Sequence, residues 1–325
     1  MAVADRPAAL ILRALGLGDL LTAVPALRGI RAALPGHEVV IAVPPWLVPM
    51  VALIDSVDSC VEVEVLPGAV PDCIRWHQRP PEIVFNLHGR GPQSHLLLTR
   101  MQPERIVAFA RADLGVAGPP WRQAEHEVQR WVRLVSAGLG VTCDPDALDI
   151  AVPQHPFSPA GAVVIHPGAA YPARCWPLDR FASVAAALRD RGHEVVVTGS
   201  AQESEIAAAV AHHAGLPEAS NLAGRTNGSE LAALIAAASL TISGDTGISH
   251  LATAYRRPSV TLFGPVPPTL WGPPARPQHL AIWHGPPGSV TPTGDPWGRT
   301  LDPLLDQIAA HEVISACTYL LANAG

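Results

Sequence analysis

The segment SGDTGISHLATA, residues 243–254, follows the apolar run LTIS, and the reading of that junction decides the fold. A strand that stops at Gly-Asp-Thr-Gly and resumes as an alanine-rich helix is a strand–turn–helix junction, the unit from which parallel α/β sheets are built. The start of such a helix carries unpaired N–H groups and the positive end of the helix dipole, which suits an anion. Gly247 allows close backbone approach there, and Thr246 and His250 can add side-chain donors. Alone, the junction specifies a nearby phosphate or nucleotide and nothing finer.

Outward from it the same grammar repeats. Upstream lie AVVIHPGAA as a strand running into a Pro-Gly turn, LDRFASVAAALRDRG as a helix, HEVVVTGS as a strand, and ESEIAAAVAHHAG and GSELAALIAAA as helices; PSVTLFG follows as a strand. The first half opens with AALILRAL, a buried strand, then GLGD and a helix to about Ala33. HEVVIAVP and EIVFNLHG are its later strands. Residues 121–139 read as a helix with Val128, Trp131, Val132 and Val135 on one face. The Pro- and Asp-rich tract CDPDALDIAVPQHPFSPAG is the expected linker. The expectation is an α/β protein of two Rossmann-like βαβ domains facing across a cleft, 1–155 and 156–300. Residues 265–297 read as irregular, and 301–325 as a closing helix.

Composition removes several function classes. With 325 residues, 48% hydrophobic and 15% charged, the chain has ample core for two domains. A net charge of −6 and a pI near 6.1 argue against nucleic-acid binding and against a strongly membrane-attracted surface. The basic residues are all arginine; the chain has no lysine. Five cysteines without a CxxC pair read as reduced thiols of a cytoplasmic protein. Arg13 and Asp19 interrupt the first apolar run, so it reads as neither signal peptide nor membrane span.

Three motifs carry chemistry. GLGD, residues 16–19, places Asp19 after a strand end, where a reactive group would be useful, and Gly18 beside it. The competing reading makes Asp19 the N-cap of a helix beginning at Leu20. HPGAAYPARCWPLDRF, residues 166–181, offers His166, Gly168 and Arg174, whose planar fork matches a diphosphate; a solvated surface arginine is the alternative. Trp176 reads as packing. In TGSAQESE, residues 198–205, Glu203 stands where an acidic side chain accepts from ribose hydroxyls, or else simply complements a helix dipole. Asp144-Pro145-Asp146 falls in the linker without a histidine at ligand spacing, and His212 and His213 point apart on one helix, so no metal site is expected. HExxH, Walker A and GxSxG patterns do not occur.

Together GDLLTAVPALRGIR, PGAAYPARCWP, AGRTNGSELAALIAAA, DTGISHLATA and LFGP resemble, in order and spacing, the heptosyltransferases of glycosyltransferase family 9. The resemblance implies a GT-B fold and inverting, metal-independent transfer from a nucleotide-activated sugar, typically ADP-heptose, with no cofactor. It implies that Asp19 is the general base and that Arg174 takes the place of the family's diphosphate-binding lysine. Thr246 and Gly247 would contact the diphosphate, Asp245 and His250 would line the donor pocket, and Glu203 would hold the ribose. Gly18, His166 and Gly168 complete the expected donor site. The closing helix would cross back onto the N-terminal domain. The expected acceptor is a hydroxyl or amine of a soluble small molecule, with a lipopolysaccharide core as the alternative. An epimerase of similar fold and a non-catalytic nucleotide-sugar-binding protein are the other classes. The expected protein is a cytoplasmic monomer with at most peripheral membrane contact and no nucleic-acid partner.

Overall fold

The computed structural model describes residues 6–323. The chain divides into two compact units, Met1–Ala151 and Val152–Gly325, parted within the Pro- and Asp-rich tract.

In the first unit, β1 (Ala8–Leu12), β2 (Glu38–Val43), β3 (Ser59–Glu62), β4 (Ile83–Asn86) and β5 (Arg105–Val107) form one sheet in the order β3-β2-β1-β4-β5. Every pairing is parallel. The second unit repeats the plan with β6 (Val163–His166), β7 (Val195–Val197), β8 (Leu240–Gly244), β9 (Ser259–Leu262) and β10 (His279–Ile282), in the order β10-β9-β8-β6-β7 and again all parallel. The central strands β1, β4 and β8 are buried along their whole length, as helices on both faces require, and so their sequences run apolar rather than alternating.

The order of the strands fixes where ligands go. In the first unit the chain winds from β1 outward to β3 and then returns to the other side of β1 as β4; in the second it passes from β6 to β7 and returns as β8. Helices diverge at such a reversal and leave a crevice outside the carboxyl ends of the two central strands. In register, Leu12 stands beside Asn86 at one reversal and His166 beside Ser243 at the other.

Several elements differ from the sequence reading for identifiable reasons. The first helix is two, Leu17–Thr22 and Val24–Ala33, because Pro25 cannot continue a helix and is tolerated only in the first turn of the next one. The helix expected from 121 begins only at Glu127; Arg130 gathers the carbonyls of Arg122, Gln123 and Glu125 and so draws that segment out of helical geometry. Its predicted apolar face, Val128, Trp131, Val132 and Val135, is buried. β3, β5 and β10 were not read from the sequence, nor was the short helix Pro268–Trp271 within the stretch read as irregular.

The C-terminal segment, read as one closing helix, is two, Pro303–Gln307 and Ala310–Ala322, and the longer one packs on the helix Leu178–Arg189 and on β8 and β9. Val313, Cys317 and Leu320, spaced four and three apart, put one face into that core. The break falls at Ile308, whose carbonyl accepts from Trp176 Nε1 at 3.0 Å and from Arg180 Nη1 at 3.0 Å.

Trp176 is buried, edge-on to Phe181 at 4.9 Å between centroids, as the packing reading expected. Trp176→Ala therefore removes a large core side chain and the donor to Ile308. We expect a loss of about 3–5 kcal/mol, seen as a lower urea midpoint for the full chain; an unchanged midpoint would remove Trp176 from the core.

Candidate active site

In the second unit the crevice is built from the ends of β6 and β8. His166 closes β6, and its Nδ1 lies 3.1 Å from Thr198 Oγ1 at the end of β7. Burial holds the imidazole pKa below its usual value, against the opposing pull of the Glu203 carboxylate. The chain then turns through Pro172–Arg174, one turn of 3₁₀ helix that delivers Arg174 to the end of β8. Arg174 Nη1 lies 3.4 Å from the Asp245 carbonyl oxygen and 3.9 Å from Asp245 Oδ2. The approach is close: a Cβ on Gly244 would stand 3.1 Å from the Arg174 carbonyl oxygen.

Two polar atoms in this crevice are buried without a protein partner, Arg174 Nε and Thr246 Oγ1. Thr246 is the N-cap of the helix Gly247–Ala254, in extended conformation, yet its hydroxyl makes no capping bond. A threonine at that position ordinarily satisfies a first-turn N–H. Here the hydroxyl, the guanidinium edge and the start of the helix are together available to an oxyanion. Asp245 is buried beside them. His250, one turn further on, lies edge-on to Trp271 at 5.9 Å.

Glu203 takes the helix-start role its sequence allowed. Its Oε2 accepts from the Ser200 N–H at 2.7 Å, as in a capping box. Its carboxylate also lies against the β6 turn, since a Cβ on Gly168 would fall 2.0 Å from Glu203 Oε1. His166, Gly168, Arg174, Glu203, Asp245, Thr246, Gly247 and His250 thus all stand on the β6, β7 and β8 ends or the elements that follow them.

Gly18 and Asp19 lie in the other unit, after β1. Asp19 does not cap a helix starting at Leu20. The helix starts at Leu17, Asp19 is its third residue, and Asp19 Oδ2 accepts from the Gly16 N–H at 3.1 Å. Its Oδ1 lies 3.3 Å from Arg13 Nη2, and its carbonyl accepts from Arg13 Nε at 2.9 Å. Arg13 is itself 1% exposed. It also donates to Leu87 O after β4, to Thr22 Oγ1 at 3.3 Å and to Glu127 Oε1 at 3.1 Å, and lies 4.5 Å over the Trp131 ring. Glu127 in turn accepts from Trp131 Nε1 at 2.8 Å and pairs with buried Arg130. Two guanidinium groups and two carboxylates balance one another there.

Arg13, Glu127 and Arg130 were not among the sequence candidates. The signal was present: an arginine ends the apolar run AALILR, where a charge survives burial only if it is paired. The Asp144-Pro145-Asp146 pair is a local turn in which the Asp146 N–H donates to Asp144 Oδ1 at 3.0 Å. Among the described residues, no group of three or more His, Cys, Asp or Glu is placed to hold a metal ion.

The sequence profile of glycosyltransferase family 9 (heptosyltransferase) matches residues 118–287, more than half of the chain. The chain belongs to glycosyltransferase family 9. This family-9 chain is 34% identical over 163 residues to lipopolysaccharide heptosyltransferase 3 of Escherichia coli, a match covering 50% of the chain and 47% of that enzyme. It thus spans about half the length of that relative. A longer match, 27% identical over 299 residues, covers 81% of the chain and 89% of lipopolysaccharide heptosyltransferase 1 of Escherichia coli K12. In fold, the ADP-heptose lipopolysaccharide heptosyltransferase II of Escherichia coli superposes with a TM-score of 0.76 at 20% identity, over 97% of this chain and 98% of that one. The family-9 chain accordingly has the GT-B fold.

Acid sensitivity follows from two buried imidazoles. His88 and His279 are held down to about 4, chiefly by burial and then by the charges of Arg13 and Arg276 respectively; a hydrogen bond to the Ala69 carbonyl opposes this for His88. The unfolded chain binds protons at these sites from about pH 6.5 downward, whereas the folded chain resists until about 4. Stability is therefore held above pH 6.5 and falls between 6.5 and 4, by about 1.4 kcal/mol per pH unit per histidine. Urea midpoints measured across that range should drop steeply, and His279→Gln should flatten the slope; a slope unaffected by that change would contradict the assignment.

Proposed function

We propose that this chain transfers a heptosyl group from ADP-heptose to an acceptor hydroxyl, with inversion and without a catalytic metal. The observation that carries the reading is the pair of buried, unpartnered polar atoms, Arg174 Nε and Thr246 Oγ1, at the start of the helix Gly247–Ala254. A departing diphosphate develops negative charge, and a guanidinium with a helix N-terminus meets that charge in place of a metal. Arg174 and Thr246 bind the diphosphate with the Gly247 amide; Asp245 and His250 border the sugar. Glu203 keeps lone pairs for the ribose hydroxyls beyond the one that receives the Ser200 N–H.

Asp19 is the general base. One of its oxygens is engaged by Gly16 and the other stands beside Arg13, so the carboxylate is held in one orientation. In the reaction it takes the proton of the acceptor hydroxyl as that oxygen attacks the anomeric carbon from the face opposite the diphosphate. The carbon–oxygen bond to the diphosphate breaks, ADP leaves with the bonding pair, and the anomeric centre inverts. The base and the leaving-group site belong to different units.

The curated relatives are lipopolysaccharide and lipooligosaccharide heptosyltransferases, which supports a saccharide acceptor. A soluble acceptor free of lipid is the second reading, favoured by the net charge of −6 and the lack of lysine. The reading also has the chain acting as a cytoplasmic monomer with at most peripheral membrane contact. Among the described residues, no helix is long and apolar enough to cross a membrane.

Release of ADP from ADP-heptose, with a deacylated lipopolysaccharide core oligosaccharide as acceptor, tests the scheme. Asp19→Asn keeps an acceptor for the Gly16 N–H and should lower kcat by roughly 10²–10⁴-fold. Arg174→Ala should lower it by roughly 10²–10³-fold and weaken ADP binding as well. Turnover by Asp19→Asn near that of the parent enzyme would end the base assignment.

A further inference from the structure

Three buried histidines can be compared. His95 is fully buried and satisfied at both nitrogens: Nδ1 lies 2.9 Å from Asn86 Nδ2 and Nε2 lies 2.9 Å from the Phe109 carbonyl oxygen. It is a core histidine. His279 pairs Nδ1 with Ser259 Oγ at 2.9 Å and leaves Nε2 unpartnered, but it is the first residue of β10, at the amino edge of its sheet and away from the ligand edge. His88 is neither case.

His88 lies two residues past β4, at the carboxyl edge of the first sheet and beside the reversal between β1 and β4. Its Nε2 is 3.0 Å from the Ala69 carbonyl oxygen. A carbonyl can only accept, so the ring proton resides on Nε2 and Nδ1 carries a bare lone pair. That Nδ1 is buried and has no hydrogen-bond partner, in a residue only 9% exposed. The backbone on either side is pinned: the His88 N–H donates to Asn86 Oδ1 at 3.1 Å, and Leu87 O receives Arg13, the residue that also holds Asp19. The surface turn that supplies Ala69 is closed by the Ala69 N–H donating to Leu66 O at 3.0 Å.

A buried acceptor without a donor costs free energy unless something else satisfies it. We infer that His88 Nδ1 accepts a hydrogen bond from a hydroxyl of the saccharide acceptor and so positions that sugar for the Asp19 carboxylate. The inference rests on the reading of Asp19 as the base. His88 moves no proton in this scheme. Its imidazole stays neutral near pH 7, and the fixed Nε2 proton keeps the lone pair on the nitrogen that the acceptor meets.

The test uses the full chain with ¹⁵N-labelled imidazoles and the deacylated lipopolysaccharide core oligosaccharide as probe. Loss of one signal in His88→Ala assigns the His88 resonances. The expected result is movement of the His88 Nδ1 resonance as the oligosaccharide saturates, with His95 and His279 unmoved. His88→Ala should weaken the oligosaccharide by about tenfold while leaving ADP affinity unchanged, and His88→Gln, which keeps an acceptor oxygen, should recover most of that loss. A purely packing role would leave the Nδ1 resonance still. Binding of the oligosaccharide with the Nδ1 signal unmoved, or with equal affinity in His88→Ala, overturns the inference. Failure of the oligosaccharide to bind while ADP binds overturns it too, by removing the acceptor class. Failure of ADP to bind while the oligosaccharide moves Nδ1 sinks the donor reading of the second unit and upholds His88.

Discussion

The first unit depends on the burial of one guanidinium. Arg13 follows the last residue of β1 with almost no exposure, and bringing a charge there costs several kcal/mol unless it is paired and hydrogen-bonded. The compensation comes from every element that meets at the reversal of the sheet. Glu127 and the Trp131 face come from the helix Glu127–Leu139, Leu87 O from the end of β4, and Thr22 and Asp19 from the helix Leu17–Thr22. Removing any one partner leaves a buried charge poorly matched. The position of Asp19 is thus fixed by the same bonds that hold the sheet edge together, the geometry that the proposed base role requires.

The second unit solves a different problem with a similar plan. Where the first unit pairs the buried charge of Arg13, this crevice leaves polar groups unsatisfied, as the proposed diphosphate site requires. Thr246 forgoes its capping bond, Arg174 keeps a buried Nε without a partner, and both stand at a helix start. Glu203 and Gly168 are matched in contour, so that any side chain at 168 would displace the carboxylate. The unmade cap and the unpartnered buried Nε each cost local stability.

Much of this was legible from residues alone. The long apolar strands and the Gly-Asp turns carried the parallel sheets, because period and turn chemistry are local properties. Asp19, Arg174, Glu203 and the 245–250 junction stood out because they follow strand ends. What escaped was what depends on distant partners. Glu127 lies 114 positions from Arg13, so no pattern in either segment reveals the pair. β5 and β10 are short edge strands whose existence is decided by the neighbour they pair with. β3 did carry an alternating signal in CVEVEV and was legible in principle. The face by which the last helix enters its core, Val313, Cys317 and Leu320, depends on neighbours that the sequence does not locate. His88 escaped for the same reason: an unpaired nitrogen is visible only once every neighbour is in place.

Calorimetric titration of the full chain with ADP, UDP and GDP, with and without EDTA, bears most directly on whether the second unit holds the donor diphosphate without a metal. The expected result is a preference for ADP that EDTA leaves unchanged and that Arg174→Ala weakens. Preference for UDP or GDP, or binding that EDTA abolishes, would contradict it.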